Sequence, residues 1–347
     1  MRIKEETKKS IVLYILNKIH EGCPTLTKTV SEVFEINRAT VYKYMNELIE
    51  EGIIRKLKRD QYEIIAQECR YHLERAKDEL DEEADVYRSC FEEHIKNLSL
   101  NARGIWDYVF GEMVNNVIEH SEASELDLII KQDYLCTEVR IIDDGIGIFN
   151  KIMKYFNLHS IDDAINELFK GKLTTDSEHH SGEGIFFSSK LVDEFFIISD
   201  NKVFTHNKYS ESDIFSIEGL KDIGTAVILR LSNYTKRQAR DVFNQYSDEE
   251  GSFIRTVLPL GTIFESNPVS RSQAKRICNR LDSFEEVVLD FENVEWMGQG
   301  FAHQIFKVFA KENPEIKLTP INMNHDVEKM YKHVILTKLG PLHKDED

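Results

Sequence analysis

Residues 143–148 read Asp-Asp-Gly-Ile-Gly-Ile and follow the strand-like run Thr-Glu-Val-Arg-Ile at 137–141. A strand that ends on carboxylates and continues with glycine at every second position must turn there with almost no side-chain bulk. Alone, Asp-Asp-Gly fits a hairpin turn, and the glycines fit a phosphate loop. Taken together they ask for a site that uses a carboxylate and bare backbone at one place.

The rest of the chain bounds what such a site can belong to. At 347 residues, two or three domains are the natural expectation. Apolar content is 41% and charged content 30%, an ordinary soluble balance. The longest apolar run, Ile11–Leu16, is far short of the roughly 18 residues of a membrane span. It also lacks the small-residue cleavage site of a signal peptide. Five scattered cysteines without a C-x-x-C pair argue against structural zinc and for a reducing, cytoplasmic setting. Net charge is −17, but residues 1–60 hold 12 Lys/Arg against 9 Asp/Glu, leaving 32 against 52 for the remainder. Any nucleic-acid contact is therefore expected at the N-terminus.

Residues 4–20 read as a helix with an apolar stripe of Ile11, Leu13, Leu16 and Ile19. A short helix over 27–34 and a third with Val41, Tyr44, Leu48 and Ile49 on one face follow, stopped by Gly52. Two short strands around a basic turn complete this part. The order, and the stretch Thr40–Lys56 in particular, resembles the winged helix-turn-helix of bacterial regulators, over residues 1–65. The resemblance implies DNA contacts from Arg38, Thr40, Tyr42 and Lys43 on the recognition helix, and from Arg55, Lys56, Lys58 and Arg59 on the wing. Residues 66–100 read as a helical linker. Leu73, Leu80 and Tyr87 repeat every seven residues there, which permits a short coiled coil and a homodimer, or equally a connector helix.

Four stretches then occur in order: Glu112–His120 with Glu112 and Asn116 on one helix face, Asp143–Gly147, Gly182–Gly184 leading into a helix, and Gly224–Thr225 heading a strand. In this order they resemble the GHKL ATPases, the group of gyrase, the heat-shock chaperone, histidine kinases and anti-sigma-factor kinases, over residues 101–235. The resemblance implies ATP and Mg as cofactors. Asp143 would accept a hydrogen bond from the adenine amine, with Gly145 and Gly147 making room and Thr225 completing the contact. Asn116 would be the Mg ligand and Glu112 the catalytic base. Gly182 and Gly184 would receive phosphates beneath a lid over 171–183. Asp144 receives no role. His179 and His180 read as lid residues. His94 lacks the proline that follows a histidine-kinase phosphoacceptor, and reads as a solvated helix residue.

From about 252 to 340 strand and helix alternate again, with Ser270 and Gln273 forming a capping box. Glu286–Phe306 resembles a STAS-type domain, the kind that receives phosphate on a serine in anti-sigma antagonists. Here Gln299 and Gly300 stand at that place and cannot accept it, so the resemblance implies a protein partner bound by contact. The expected fold is thus multidomain α/β: winged helix over 1–65, linker over 66–100, a GHKL sandwich with a mixed sheet and helices on one face over 101–235, and a STAS-like domain over 250–340. The expected function is an ATP-controlled DNA-binding regulator, with a protein kinase acting on another chain or a slow ATPase as rivals.

Overall fold

A computed structural model describes residues 5–58, 61–173, 182–210, 223–264 and 267–336. Its chain is mixed α/β and divides into two compact units. The first comprises Met1–Gly145, Val192–Ile197 and Ser212–Lys236; the second comprises Ile146–Leu191, Ile198–Glu211 and Arg237–Asp347. Residues 101–235, expected as one domain, contribute to both.

In the first unit, helices α1 (Glu5–His20), α2 (Leu26–Val33) and α3 (Arg38–Glu50) precede a hairpin of β1 (Ile54–Lys58) and β2 (Gln61–Ile64). Asn37 starts α3 by accepting the Ala39 amide at 2.9 Å. Gly52, at φ +71°, ends it, and the Ile53 amide returns to the Leu48 carbonyl at 2.9 Å. The buried face of α3 is Val41, Tyr44, Met45 and Leu48. Met45 takes the place expected for Ile49, because positions 41, 44, 45 and 48 complete one helical stripe and 49 points off it. Ile49 is exposed.

The helical linker expected over 66–100 is corrected. Gln67–Glu74 is a strand, β3, which pairs antiparallel along its whole length with β4 (Glu125–Gln132). Only Ile65 and Ala66 separate it from β2. The period is two, not seven: Cys69, Tyr71 and Leu73 are more buried than Glu68, Arg70 and His72. Leu80 is buried in a turn, and Tyr87 lies in a helical run over 83–95, so the three never share a helix.

β4 turns into β5 (Cys136–Asp143), which pairs in unbroken antiparallel register with β8 (Thr225–Ser232). With β6 (Glu194–Ser199) the order is β3-β4-β5-β8-β6, so β5 and β8 are central. The helix Leu100–Asn115, capped by Ser99, buries Ile105, Trp106, Val109, Phe110 and Met113. Phe91 stacks on Phe110 with ring centroids 4.3 Å apart. The helix continues as a wider π turn over Asn116–His120.

The second unit holds helices Ile148–Tyr155, Ile161–Lys170 and Gly184–Leu191, strand β7 (Lys202–Thr205) and helix Ala239–Tyr246. A parallel sheet of β9 (Arg255–Pro259), β10 (Glu286–Asp290) and β11 (Lys317–Ile321) follows, in the order β11-β10-β9. Its crossovers run through helices, as parallel strands require. The Ser270–Gln273 capping box is present. Lys170 is buried at the end of its helix, where its ammonium meets Glu167 at 2.6 Å and the carbonyls of Asn279 and Arg276 at 2.8 and 3.1 Å. Its own carbonyl accepts the Thr256 hydroxyl at 2.8 Å. One side chain thus joins the helix Ile161–Lys170 to the C-terminal end of helix Arg271–Cys278. Removing the charge of one buried partner strands the other, so Glu167→Gln should cost about 3 kcal/mol, read as a lower urea midpoint. An unchanged midpoint would show that the pair is not buried in solution.

Candidate functional site

β5 ends on Asp143, which is 4% exposed and lies directly opposite Thr225, the first residue of β8. The ladder continues one step beyond the strands, the Gly224 amide donating to the Asp143 carbonyl at 2.8 Å. One Asp143 carboxylate oxygen accepts the Gly145 amide at 2.8 Å. Two glycines are sterically required here. A Cβ on Gly224 would lie 2.4 Å from the Gly145 backbone and 2.6 Å from Asp143 Oδ1, and one on Gly145 would lie 2.2 Å from the Ser121 carbonyl oxygen. Bare backbone at these positions is what lets three chain segments converge around the carboxylate.

Among the described residues no cation is paired with Asp143. Burial pushes its pKa up from 3.8 to about 6, the amides of Gly145 and Thr225 pull against this, and neighbouring Asp144 adds to it. A carboxylate kept in a closed place with backbone amides as its donors has acceptor capacity to offer a ligand amine. Asp144, given no role from the sequence, accepts the amides of Ser124 and Glu125 at 2.8 and 2.9 Å through one oxygen. It ties the loop after β5 to the start of β4. The signal for it was in the sequence, since an Asp beside a turn is a ready acceptor for backbone amides; the partners, some twenty residues away, were not.

Glu112 and Asn116 lie one turn apart, the Asn116 backbone N–H donating to the Glu112 backbone carbonyl, and both are half-buried. Asn116 opens the π turn whose exit at Ser121 abuts Gly145. In the first unit, therefore, Asp143, Gly145, Gly224 and Thr225 come together, with the end of the Glu112 helix against them. Gly147, Gly182 and Gly184 belong to the second unit. Gly147, at φ +82°, precedes helix Ile148–Tyr155. Gly182, at φ +69°, accepts the Leu173 amide at 2.9 Å, and Gly184 opens helix Gly184–Leu191. Most of the expected lid, with His179 and His180, lies outside the described residues. His94 is no solvated residue: Tyr71 hydrogen-bonds its Nε2 at 2.9 Å, and burial holds its pKa down.

On α3, Arg38, Tyr42 and Lys43 are exposed and Thr40 is half-buried. Lys43 lies 3.8 Å from Glu47, which Lys8 also meets at 2.7 Å. On the hairpin Arg55 pairs with Glu63, Lys56 lies over the Tyr62 ring at 5.9 Å, and Lys58 is exposed. Arg59 lies outside the described residues.

The family model of the STAS-like domain of unknown function (DUF4325) matches residues 273–328, which span β10 and β11 and the helices around them. A STAS-like domain is therefore present at the C-terminal side of the chain. Its turn before helix Gln299–His303 is tight: the Gly298 amide donates to Pro268 at 2.9 Å, and a Cβ there would meet the Val269 carbonyl at 2.2 Å. No curated protein matches the chain. No helix among the described residues is long and apolar enough to cross a membrane.

The native pKa of Asp143 lies above its unfolded value, so the residue favours the fold while protonated. That contribution is complete below about pH 4, is lost as pH rises through about 6, and amounts to about 3 kcal/mol. Asp143→Asn should therefore raise the urea midpoint relative to the parent at pH 8 and lose that advantage towards pH 4. Parallel pH profiles for the two proteins would show that the carboxylate is not charged and buried.

Proposed function

We propose that the chain is an ATP-binding, DNA-binding regulator in which Mg-ATP at a GHKL-type site controls the state of a winged helix. The observation that carries the nucleotide reading is the buried Asp143 carboxylate, supported by backbone amides and walled by glycines. It can accept a charge-assisted hydrogen bond from an adenine amine, and a guanine carbonyl in the same position would meet it as acceptor against acceptor. Thr225, its partner across the ladder, supplies a hydroxyl at the same edge. Asn116 offers a hard carbonyl oxygen that fits Mg²⁺, which keeps waters and phosphate oxygens for its other positions. The bound ion would neutralise phosphate charge. Glu112, one turn before Asn116, would hold a water or take its proton.

The STAS-like domain fits a partner bound by contact, because Gln299 and Gly300 give the turn no nucleophile for phosphoryl transfer. The N-terminal helices and hairpin support DNA binding through exposed Arg38, Tyr42, Lys43 and Lys58.

Two outcomes are expected. Asp143→Asn places a donor against the adenine amine; a mispaired buried group costs about 1–3 kcal/mol, so ATP affinity should fall about tenfold or more, measured by calorimetric titration. Undiminished binding would remove the adenine contact. Separately, the full chain should bind mixed-sequence duplex DNA with an affinity that falls with salt. Replacing Arg55, Lys56, Lys58 and Arg59 with Ala should lower the slope of log affinity against log salt by up to about 3.6. An unchanged slope would clear the hairpin of phosphate contacts.

A further inference from the structure

The adenine reading places a ligand at one end of the β5–β8 ladder; the other end carries the N-terminal helices. The two strands pair along eight residues without a bulge, from Asp143 opposite Thr225 to Cys136 opposite Ser232. At about 3.4 Å per residue the ladder is about 24 Å long. Thr137, Val139, Ile141, Ala226, Leu229 and Leu231 are buried along it.

Beyond Cys136 and Ser232 the two chain ends are laced together. The Asn233 amide donates to Leu135 at 2.9 Å, its side-chain nitrogen donates to the Asp133 carbonyl at 2.9 Å, and its side-chain oxygen accepts the Thr137 hydroxyl at 2.8 Å. Asp133 accepts the amides of Leu135 and Cys136 through its own carboxylate. Tyr134 and Tyr234 bring their rings within 5.8 Å.

This knot is seated on the N-terminal part. Tyr134 and Leu135 pack against the core that α1, α2 and α3 share, built on Ile11, Ile15, Val41 and Leu48. The Lys9 ammonium on α1 lies 5.2 Å from the Tyr234 ring. The chain also runs from β2 to β3 with two residues between, and β3 is an outer strand of the same sheet. The N-terminal part is therefore fastened to the sheet in three places, two of them at the far end of the strands that hold Asp143 and Thr225.

We propose that the β5–β8 ladder is the regulatory link of this protein. Nucleotide bound at the Asp143–Thr225 end stiffens the ladder, and the knot at 133–136 and 232–235 passes that change to the packing of α1 and α3. DNA affinity then depends on ATP without any hinge or swinging linker, in the currency of ordering rather than of large displacement. This link rests on the ATP reading above.

The test uses the full chain. Mg-ATP should slow amide hydrogen exchange at 143–145 and 224–225, and also at 133–136, 232–235 and in α1. It should change affinity for mixed-sequence duplex by about fivefold or more, and in Tyr134→Ala/Leu135→Ala the change should shrink below about twofold while ATP affinity stays at the parent level. Slowing confined to 143–145 and 224–225, no response of DNA affinity to ATP, or a full response in the double variant overturns the link while leaving ATP binding intact. No slowing at 143–145 at all removes the ATP reading and the link together. The exchange measurement needs no variant, so it decides even where the double substitution unfolds the N-terminal part.

Discussion

The burial of one carboxylate sets the terms for the first unit. Asp143 cannot be closed in at the end of β5 unless donors reach it, and the donors are backbone amides of Gly145 and Thr225. Those amides reach it only because Gly145 and Gly224 carry no Cβ, and because the β5–β8 register holds to its last pair. The arrangement raises the carboxyl's pKa, because burial outweighs the pull of the Gly145 and Thr225 amides. A group held at such a cost at the end of two interior strands is the basis of the ligand site we propose.

The second unit solves a different problem with a different device. Lys170 is 1% exposed, and its three donors are met by Glu167 and two carbonyls at the end of helix Arg271–Cys278, those of Arg276 and Asn279. Burial lowers its pKa, while Glu167 pulls the other way. Around it, Lys172 donates to the Ser283 carbonyl, Arg280 donates to the Lys172 carbonyl, and Gly171 at φ +80° leaves room for the Phe253 ring, which a Cβ would approach to 2.7 Å. Residues 163–172 and the strands and loops of the C-terminal part thus form one continuous packing. That is why helices expected to belong with the sheet of the first unit group with the STAS-like domain.

What could be read in the sequence followed from local pattern. The three N-terminal helices, the hairpin, the Ser270 capping box and the β10–helix–β11 alternation are all signalled by periodicity and caps, which depend on near neighbours. The run 67–74 reads as helix in the sequence because its charged residues favour helix and Leu73 falls seven residues before Leu80 and fourteen before Tyr87. Its strand state is set by β4, about sixty residues away, which pairs it edge to edge. The candidate site divides in the same way. Asp143, Gly145 and Gly224–Thr225 stand out as motif residues, and they converge. Asp144 and Ser121 act through backbone atoms distant in sequence, and no side-chain pattern announces such partners. Residues of the buried Lys170 cluster were not singled out either, since an i, i+3 Glu–Lys pair on a helix is usually a solvated one.

The replacement of a linker by a strand changes what regulation can mean here. A helical connector would leave the N-terminal part free to reorient, and ATP would have to act by moving it. With β3 hydrogen-bonded along its length and Tyr134 and Leu135 set into the helical core, reorientation would break a ladder and expose apolar surface. The exposed cations are also modest in number and partly spent on Glu47 and Glu63, so the DNA affinity we propose would rest on small differences in how α3 and the hairpin are presented. A rigid mount suits that situation. Coupling of about 1–3 kcal/mol is typical between linked sites, and the link we propose would need no more than that from a ligand that orders its own pocket.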